Sequence, residues 1–292
     1  MKITGITIIR NAVINDYPIV EAISSILPIV DEMVVCIDKG EDDTEELIKS
    51  ITSDKIRLFY TSWDMNLREG GKVLAIETDK AMQCVSDDTD WIFYIQGDEV
   101  IHEKYHENIL KAARRYESDK KVEGLLFKYL HFYGTYDNVA DSRKWYKYEV
   151  RVIRNDKRIK AYKDAQGFRK QNKKINVVLI DAWVYHYGWV KSPKQMSIKQ
   201  KHVNRFWQSD DKKLADYLAT PDNFDFNKID SLETFTGTHP TVMHARIKKQ
   251  NWHVELDAVR KNFSLKEKVL FWFEKKTGKR LFSFSNYRLL KP

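Results

Sequence analysis

The stretch Asp90-Trp-Ile-Phe-Tyr-Ile-Gln-Gly-Asp-Glu99 decides how the chain is read. Ile92 to Ile95 are consecutive apolar residues of β-branched and aromatic type with no polar alternation. That is the pattern of a strand buried on both faces, as in a parallel sheet covered by helices. The run stops at Gln96-Gly97-Asp98-Glu99. Open α/β sheets bind ligands beyond the carboxyl ends of their strands, so two acidic residues released there by a glycine are placed for a cation or a polar substrate. Taken alone, the four residues fit a solvated turn equally well.

Upstream, Ile3 to Ile9 is a β-rich apolar run ending at Arg10-Asn11, and an apolar-periodic segment from Ile14 to Leu27 predicts a helix. Met33 to Ile37 is a second buried-type strand, closed by Asp38-Lys39-Gly40. Asp42-Asp43-Thr44 then starts a helix reaching Ile51, its first-turn acids favoured by the helix dipole. Ile56 to Tyr60 is a third strand. Gly71 to Val85 is a helix with Leu74, Ala81, Met82 and Val85 on one face. The resulting β-α-β-α-β-α-β alternation predicts a parallel sheet with right-handed crossovers, which sets Asn11, Asp38 and Asp98 on one rim.

Downstream the pattern changes. Glu103 to Tyr116 reads as a helix, and Gly124 to His131 and Tyr148 to Ile153 as longer strands separated by the turn-rich Gly134-Thr-Tyr-Asp-Asn138, which predicts a mixed sheet. Asp156 to Asn172 is polar, basic and irregular. Val177 to Tyr185 is an apolar strand with His186 at its end, Lys194 to Ala219 is helical and charged, and Pro221 to Pro240 reads as a loop. The loop's Thr236-Gly-Thr-His-Pro240, with Glu233 and Trp252 nearby, offers polar and aromatic groups to a ligand or serves as a plain connection. Ser264 to Lys275 is a helix with a capping box, Ser264 and Glu267, and an apolar face of Leu265, Val269, Trp272 and Phe273 among Lys266, Lys268, Lys275 and Lys276. That face is expected to pack on the body of the protein; a helix lying on a membrane surface has the same pattern.

With 292 residues, 32% charged, 42% hydrophobic and 13% aromatic, the chain can bury a sizeable core and is not disordered. The net charge of +8 suits phosphate-bearing substrates, nucleic acid or anionic lipid. Basic residues are interspersed with acidic ones and no nucleic-acid-binding motif occurs, so a nucleic-acid-binding module is an alternative and no nucleic-acid partner is expected. Cys36 and Cys84 read as buried core thiols. No apolar run approaches the length of a membrane span, so a cytoplasmic location is expected, with the basic C-terminal helix available for contact with the inner face of a membrane.

In order along the chain, Ile8-Ile9-Arg10-Asn11, Asp38-Lys-Gly-Glu-Asp-Asp-Thr44, Gly71-Lys72 and Asp90-Trp91 leading into Gln96-Gly97-Asp98-Glu99 resemble the nucleotide-binding half of family 2 glycosyltransferases. These are inverting enzymes of the GT-A fold that use nucleotide sugars. The resemblance implies an α/β fold, GT-A and Rossmann-like, with a mixed, mostly parallel sheet flanked by helices and a helical C-terminal extension. Residues 1–110 would be the nucleotide-sugar-binding half, 111–200 the acceptor and catalytic half of the same domain, and 201–292 the mainly helical extension.

The same resemblance implies roles. Asp38 would contact the nucleoside, Lys72 the base or diphosphate, and Asn11 would border the same donor site. Asp98 matches the last acidic position of the family's D-x-D motif, which binds Mn²⁺ or Mg²⁺. The first position of that motif is Gln96, a departure that leaves a hydrogen-bonding group for a ribose hydroxyl but no charge. Tyr148-Glu-Val-Arg-Val-Ile-Arg154, Tyr162-Lys-Asp-Ala-Gln-Gly-Phe168 and Tyr185-His-Tyr-Gly188 resemble a bacterial subgroup more loosely. They imply Asp164 as the catalytic base, with Asp181 the competing choice, and His186 as a second metal or diphosphate ligand. The implied reaction moves a sugar from a nucleotide-diphosphate donor to a hydroxyl of a glycan or lipid-linked saccharide. A nucleotidyltransferase is the alternative enzyme, but it would carry a Gly-rich phosphate loop after the first strand, and Ile9-Arg10-Asn11-Ala12 is not one.

Overall fold

A computed structural model describes residues 1–257 and 261–291. In its first half β1 (Ile3–Ile9), α1 (Ile19–Ile26), β2 (Glu32–Asp38), α2 (Thr44–Lys49), β3 (Ile56–Thr61), α3 (Lys72–Gln83) and β4 (Trp91–Tyr94) alternate as the apolar runs predict. The strands lie parallel in the order β3-β2-β1-β4, with Ile8 opposite Cys36 and Ile6 opposite Tyr94. Every residue of β1 and β4 is buried, as expected for strands covered on both faces.

Helix α1 starts at Ile19, five residues later than the periodicity of residues 14–27 predicts. Pro18 is its N-cap, and a residue before proline is disfavoured in helical geometry. The segment before it is a turn in which Asn11 and Asp16 take positive φ (53° and 49°). This turn hangs from the carboxyl end of β1 and places Asn11, Asn15 and Tyr17 beside the end of β4.

In the second half β5 (Glu99–Ile101), α4 (His106–Arg115), β6 (Gly124–Tyr133), β7 (Asn138–Ala140) and β8 (Tyr148–Arg154) are followed by β9 (Ile159–Tyr162), β10 (Gly167–Lys170), β11 (Lys173–Lys174) and β12 (Asn176–Trp189). Antiparallel β8 joins the halves, with Trp91 opposite Arg154 on one side and Gly124 opposite Ile153 on the other. β12 runs parallel to β6 and antiparallel to β5. The sheet is therefore mixed, its parallel character carried by β3-β2-β1-β4 and the β6–β12 pair. Residues 156–172, irregular by composition, fold as the antiparallel β9–β10 hairpin extended by β11, because the polar face of a two-sided ribbon leaves no apolar run to read.

The remainder holds α5 (Pro193–Asn204), α6 (Asp211–Leu218), β13 (Leu232–Thr234), α7 (His244–Lys248), α8 (Leu265–Thr277) and β14 (Arg288–Leu289). Residues 194–219 are thus two helices rather than one; Asp210 accepts from Lys213 N at 3.1 Å and caps α6. The loop at 221–240 contributes β13, which pairs with β7, and β14 pairs with β12. Helix α8 departs from its expected packing: Leu265, Val269 and Trp272 face solvent, and its buried residue is Glu274. Among the described residues no helix is long and apolar enough to cross a membrane.

Candidate active site

A cleft of about 240 Å³ opens at the carboxyl ends of β1 and β4. Its floor is Ile8 to Asn11 and Gln96-Gly97-Asp98; its walls bring in Trp63, Asp164, Lys199, Arg205, Phe206 and Trp207 from distant parts of the chain. The turn after β4 is held from beneath by Glu99, which is fully buried. Arg151 on β8 donates to it twice, Nε at 2.8 Å and Nη2 at 2.6 Å, and the Tyr129 hydroxyl donates to the same carboxylate. The guanidinium lies between the Tyr94 and Tyr129 rings, 5.5 and 5.6 Å from their centres. Glu99 also accepts from Gln96 N at 3.2 Å, so it fixes the turn and leaves Asp98 for the cleft.

Asp98 Oδ2 accepts from Lys199 Nζ at 3.0 Å and lies 3.5 Å from His186 Nε2. Burial raises the pKa of such a carboxyl, but here the charges of Lys199 and His186 outweigh it and hold the group well below the usual carboxylate range. Gly188 permits the approach: a Cβ there would collide with both Asp98 Oδ2 and His186 Nε2.

The hydrogen bonds behind His186 set which of its nitrogens faces Asp98. His131 Nε2 lies 2.9 Å from the Tyr146 carbonyl oxygen, which can only accept, so that nitrogen carries the hydrogen. Burial, with His186 next, pushes the His131 pKa well down, so the ring is neutral and its Nδ1 is an acceptor. His186 Nδ1, 3.3 Å away, must then donate to it. His186 consequently presents Nε2 to the Asp98 carboxylate, 3.5 Å away.

Asp98 and His186 are of the donor types that a divalent cation takes when it shares phosphate oxygens. Among the described residues no group of three His, Cys, Asp or Glu side chains is placed to hold a metal by itself. Lys199, which also donates to Gly188 O at 2.8 Å, is the cation at Asp98 in this structure.

Asp164 lines the same cleft from the β9–β10 turn, between Lys163 and Ala165, both at positive φ (58° and 60°). Burial raises its pKa, against hydrogen bonds from its own and the Gln166 backbone and the positive charge of Lys163 and Arg151. Its neighbour across the cleft is the cap of α3: at Gly71 (φ +70°) a Cβ would stand 2.8 Å from Asp164 Cβ and 2.9 Å from the Trp207 ring. Asp181, the competing base, is exposed on β12 and paired with Lys128 at 2.8 Å.

The remaining sequence-derived positions divide. Asn11 and Gln96 line the cleft; the Asn11 side chain accepts from Glu41 N at 2.8 Å and Gln96 Nε2 donates to the Tyr94 hydroxyl at 3.2 Å. Asp38 is buried at the end of β2, where Arg10 and, at 3.1 Å, Trp63 N donate to its carboxylate. Lys72 sits exposed at the start of α3 with its ammonium on Glu69. The 236–240 loop packs elsewhere, with His239 Nδ1 on the Tyr187 hydroxyl at 2.8 Å and Thr238 on His102.

Sequence reasoning did not single out Lys199, Tyr17, Arg205, Phe206 or Trp207. The break at 205–210 had a signal, the Ser209-Asp210-Asp211 cap inside a helical pattern. Arg205 lines the cleft and its guanidinium makes no hydrogen bond or ion pair among the described residues, and Phe206 packs on Trp63 with ring centres 5.6 Å apart.

No known family profile matches the chain, and no curated protein matches it by sequence. Solved structures resemble it at the level of fold. S. aureus TarS is 17% identical with a TM-score of 0.39, over 70% of this chain and 39% of TarS, so the chain spans well under half of that protein's length. The 4-diphosphocytidyl-2C-methyl-D-erythritol synthase of Anaerococcus prevotii is 13% identical with a TM-score of 0.39, over 75% and 95% of the two chains. Glucosyl-3-phosphoglycerate synthase from Mycobacterium tuberculosis, in complex with Mn²⁺, UDP and phosphoglyceric acid, is 18% identical with a TM-score of 0.31, over 45% and 43%. At these scores the functional reading rests on the cleft itself.

Proposed function

We propose that the protein is an inverting, metal-assisted glycosyltransferase that moves a sugar from a nucleotide-diphosphate donor to a hydroxyl of a glycan or lipid-linked saccharide. The observation that supports it is the meeting, in one cleft at the carboxyl ends of β1 and β4, of two carboxylates with opposite electrostatics. Asp98 is held ionised beside Lys199 and His186, whereas burial raises the pKa of Asp164.

In this reading Asp164 takes the proton of the acceptor hydroxyl as its oxygen attacks the anomeric carbon. The bond to the donor's diphosphate breaks on the opposite face, and the configuration inverts. Arg205 and Lys199 supply positive charge where the diphosphate leaves. Asp98 and His186 would hold Mn²⁺ or Mg²⁺, which neutralises charge on the leaving diphosphate when bound. Asn11 and Gln96 border the nucleoside end, whereas Asp38, held by Arg10 and Trp63 N, and Lys72, paired with Glu69, lie outside the cleft lining. Trp63, Phe206 and Trp207 give that end aromatic faces on which a base can stack.

A melting-temperature screen with UDP, GDP, CMP and dTDP, with and without Mn²⁺, tests the donor site, because a ligand of the native state raises the midpoint by mass action. Incubation with the matching sugar nucleotide should then release the nucleoside diphosphate. Release of pyrophosphate from a nucleoside triphosphate instead would assign the cleft to nucleotidyl transfer.

A further inference from the structure

Helix α8 is attached to the protein by its polar side. Its one buried side chain, Glu274, receives Arg143 Nη1 at 2.6 Å, with Lys147 on the same carboxylate and Arg280 Nε at 3.5 Å. On the opposite side of the helical wheel, Leu265, Val269 and Trp272 are 82, 64 and 61% exposed. Just past the Gly278 cap, Phe282 and Phe284 are 91 and 74% exposed. A helix kept for packing buries its apolar stripe, and this one turns the stripe outward.

The charges around that stripe have one sign. From Leu265 to Leu289 there are seven basic residues and two acidic ones; Glu274 is buried with Arg280 on it, Glu267 closes the capping box and Lys275 pairs with Glu233, which leaves Lys266, Lys268, Lys276, Lys279 and Arg288. Lys276 falls on the apolar face, its Nζ 5.9 Å from the Trp272 ring centre, and Lys174 Nζ stands 5.0 Å over Phe284. Exposed Trp, Phe and Leu rimmed by lysines match the boundary of an anionic bilayer, where rings and aliphatic chains enter the acyl edge and ammonium groups meet lipid phosphates. A symmetric pairing of two such faces would oppose lysine to lysine.

We propose that α8 and the Phe282–Phe284 segment form a peripheral docking face for a membrane rich in anionic lipid. The inference stands apart from the catalytic reading, since none of these residues lines the cleft. The test is co-sedimentation of the full chain with phosphatidylcholine vesicles, with and without about a third phosphatidylglycerol. Binding is expected on the anionic vesicles only. It should weaken about tenfold or more in Trp272→Ala/Phe282→Ala, and be lost at about 0.5 M salt. Both positions are exposed, so the variant's melting temperature should match the parent. Equal binding to neutral vesicles, binding to neither, or binding untouched by the double variant would overturn the proposal. So would a dimer, seen by light scattering, that the double variant abolishes, which would assign the face to a second copy of the chain.

Discussion

Replacing Asp98 by Asn separates structural from chemical roles at the cleft. The substitution keeps shape but removes the charge that Lys199 faces at 3.0 Å, and Lys199 is itself buried. Breaking a buried pair from one side costs about 3–5 kcal/mol because the other charge is left alone. Here Lys199 keeps the Gly188 carbonyl at 2.8 Å and the Tyr17 ring at 4.9 Å, which argues for the lower end, about 3 kcal/mol. At about 2 °C per kcal/mol for a chain of this size, the melting temperature should fall by about 6 °C. Sugar-nucleotide turnover with Mn²⁺ should fall at least about 100-fold, the scale of losing one electrostatic partner of a developing charge. Adding Lys199→Met removes the stranded ammonium, so the double variant should recover most of the lost melting temperature and none of the turnover. Differential scanning fluorimetry and nucleoside-diphosphate release measure the two quantities on the same samples. An Asp98→Asn protein that melts and turns over like the parent, or a double variant that regains activity, would refute the reasoning.

Asp164→Asn should lower kcat by about 100-fold or more while leaving the nucleotide-induced melting shift unchanged, since a base acts on the acceptor proton and not on donor binding; a lost shift would instead place Asp164 on the donor. Arg151→Met removes the ion-pair partner of the fully enclosed Glu99 and should destabilise the fold by about 3–5 kcal/mol in urea titrations. Burial, opposed by Arg151, pushes Glu149 up to about 8 from its ordinary 4.5. The native state therefore holds a proton there that the unfolded chain has released. The stability this proton contributes is full below about pH 4.5 and is lost as pH rises through about 8, by up to about 1.4 kcal/mol per pH unit. Glu149→Gln should flatten that slope and exceed the parent's stability at about pH 9; parallel pH profiles would contradict it.

Much of the fold was legible because the signals were local. The unalternating runs at Ile3–Ile9, Met33–Ile37 and Ile92–Ile95 announce strands covered on both faces, and their regular spacing with helices leaves a parallel arrangement with one shared rim. That rim alone brings Asn11, Asp38 and Asp98 to one edge, whereas Gln96 enters through the resemblance. Asp164 was legible only through resemblance, since nothing in residues 156–172 announces the hairpin that carries it to the cleft.

What the sequence by itself determined, then, is the parallel half of the sheet and the acidic turn at its edge, because periodicity of 2 or 3.6 and chain punctuation are properties of neighbours. Tertiary structure decided which charges face one another. Lys199 reaches Asp98 across 101 positions, Arg151 takes Glu99 out of the site, and His131 sets which nitrogen His186 offers. Tertiary structure also decided which side of α8 meets the protein. An amphipathic wheel reads the same whether its apolar stripe is buried or exposed; here Glu274, held by Arg143 and Lys147, faces the protein and the stripe faces outward.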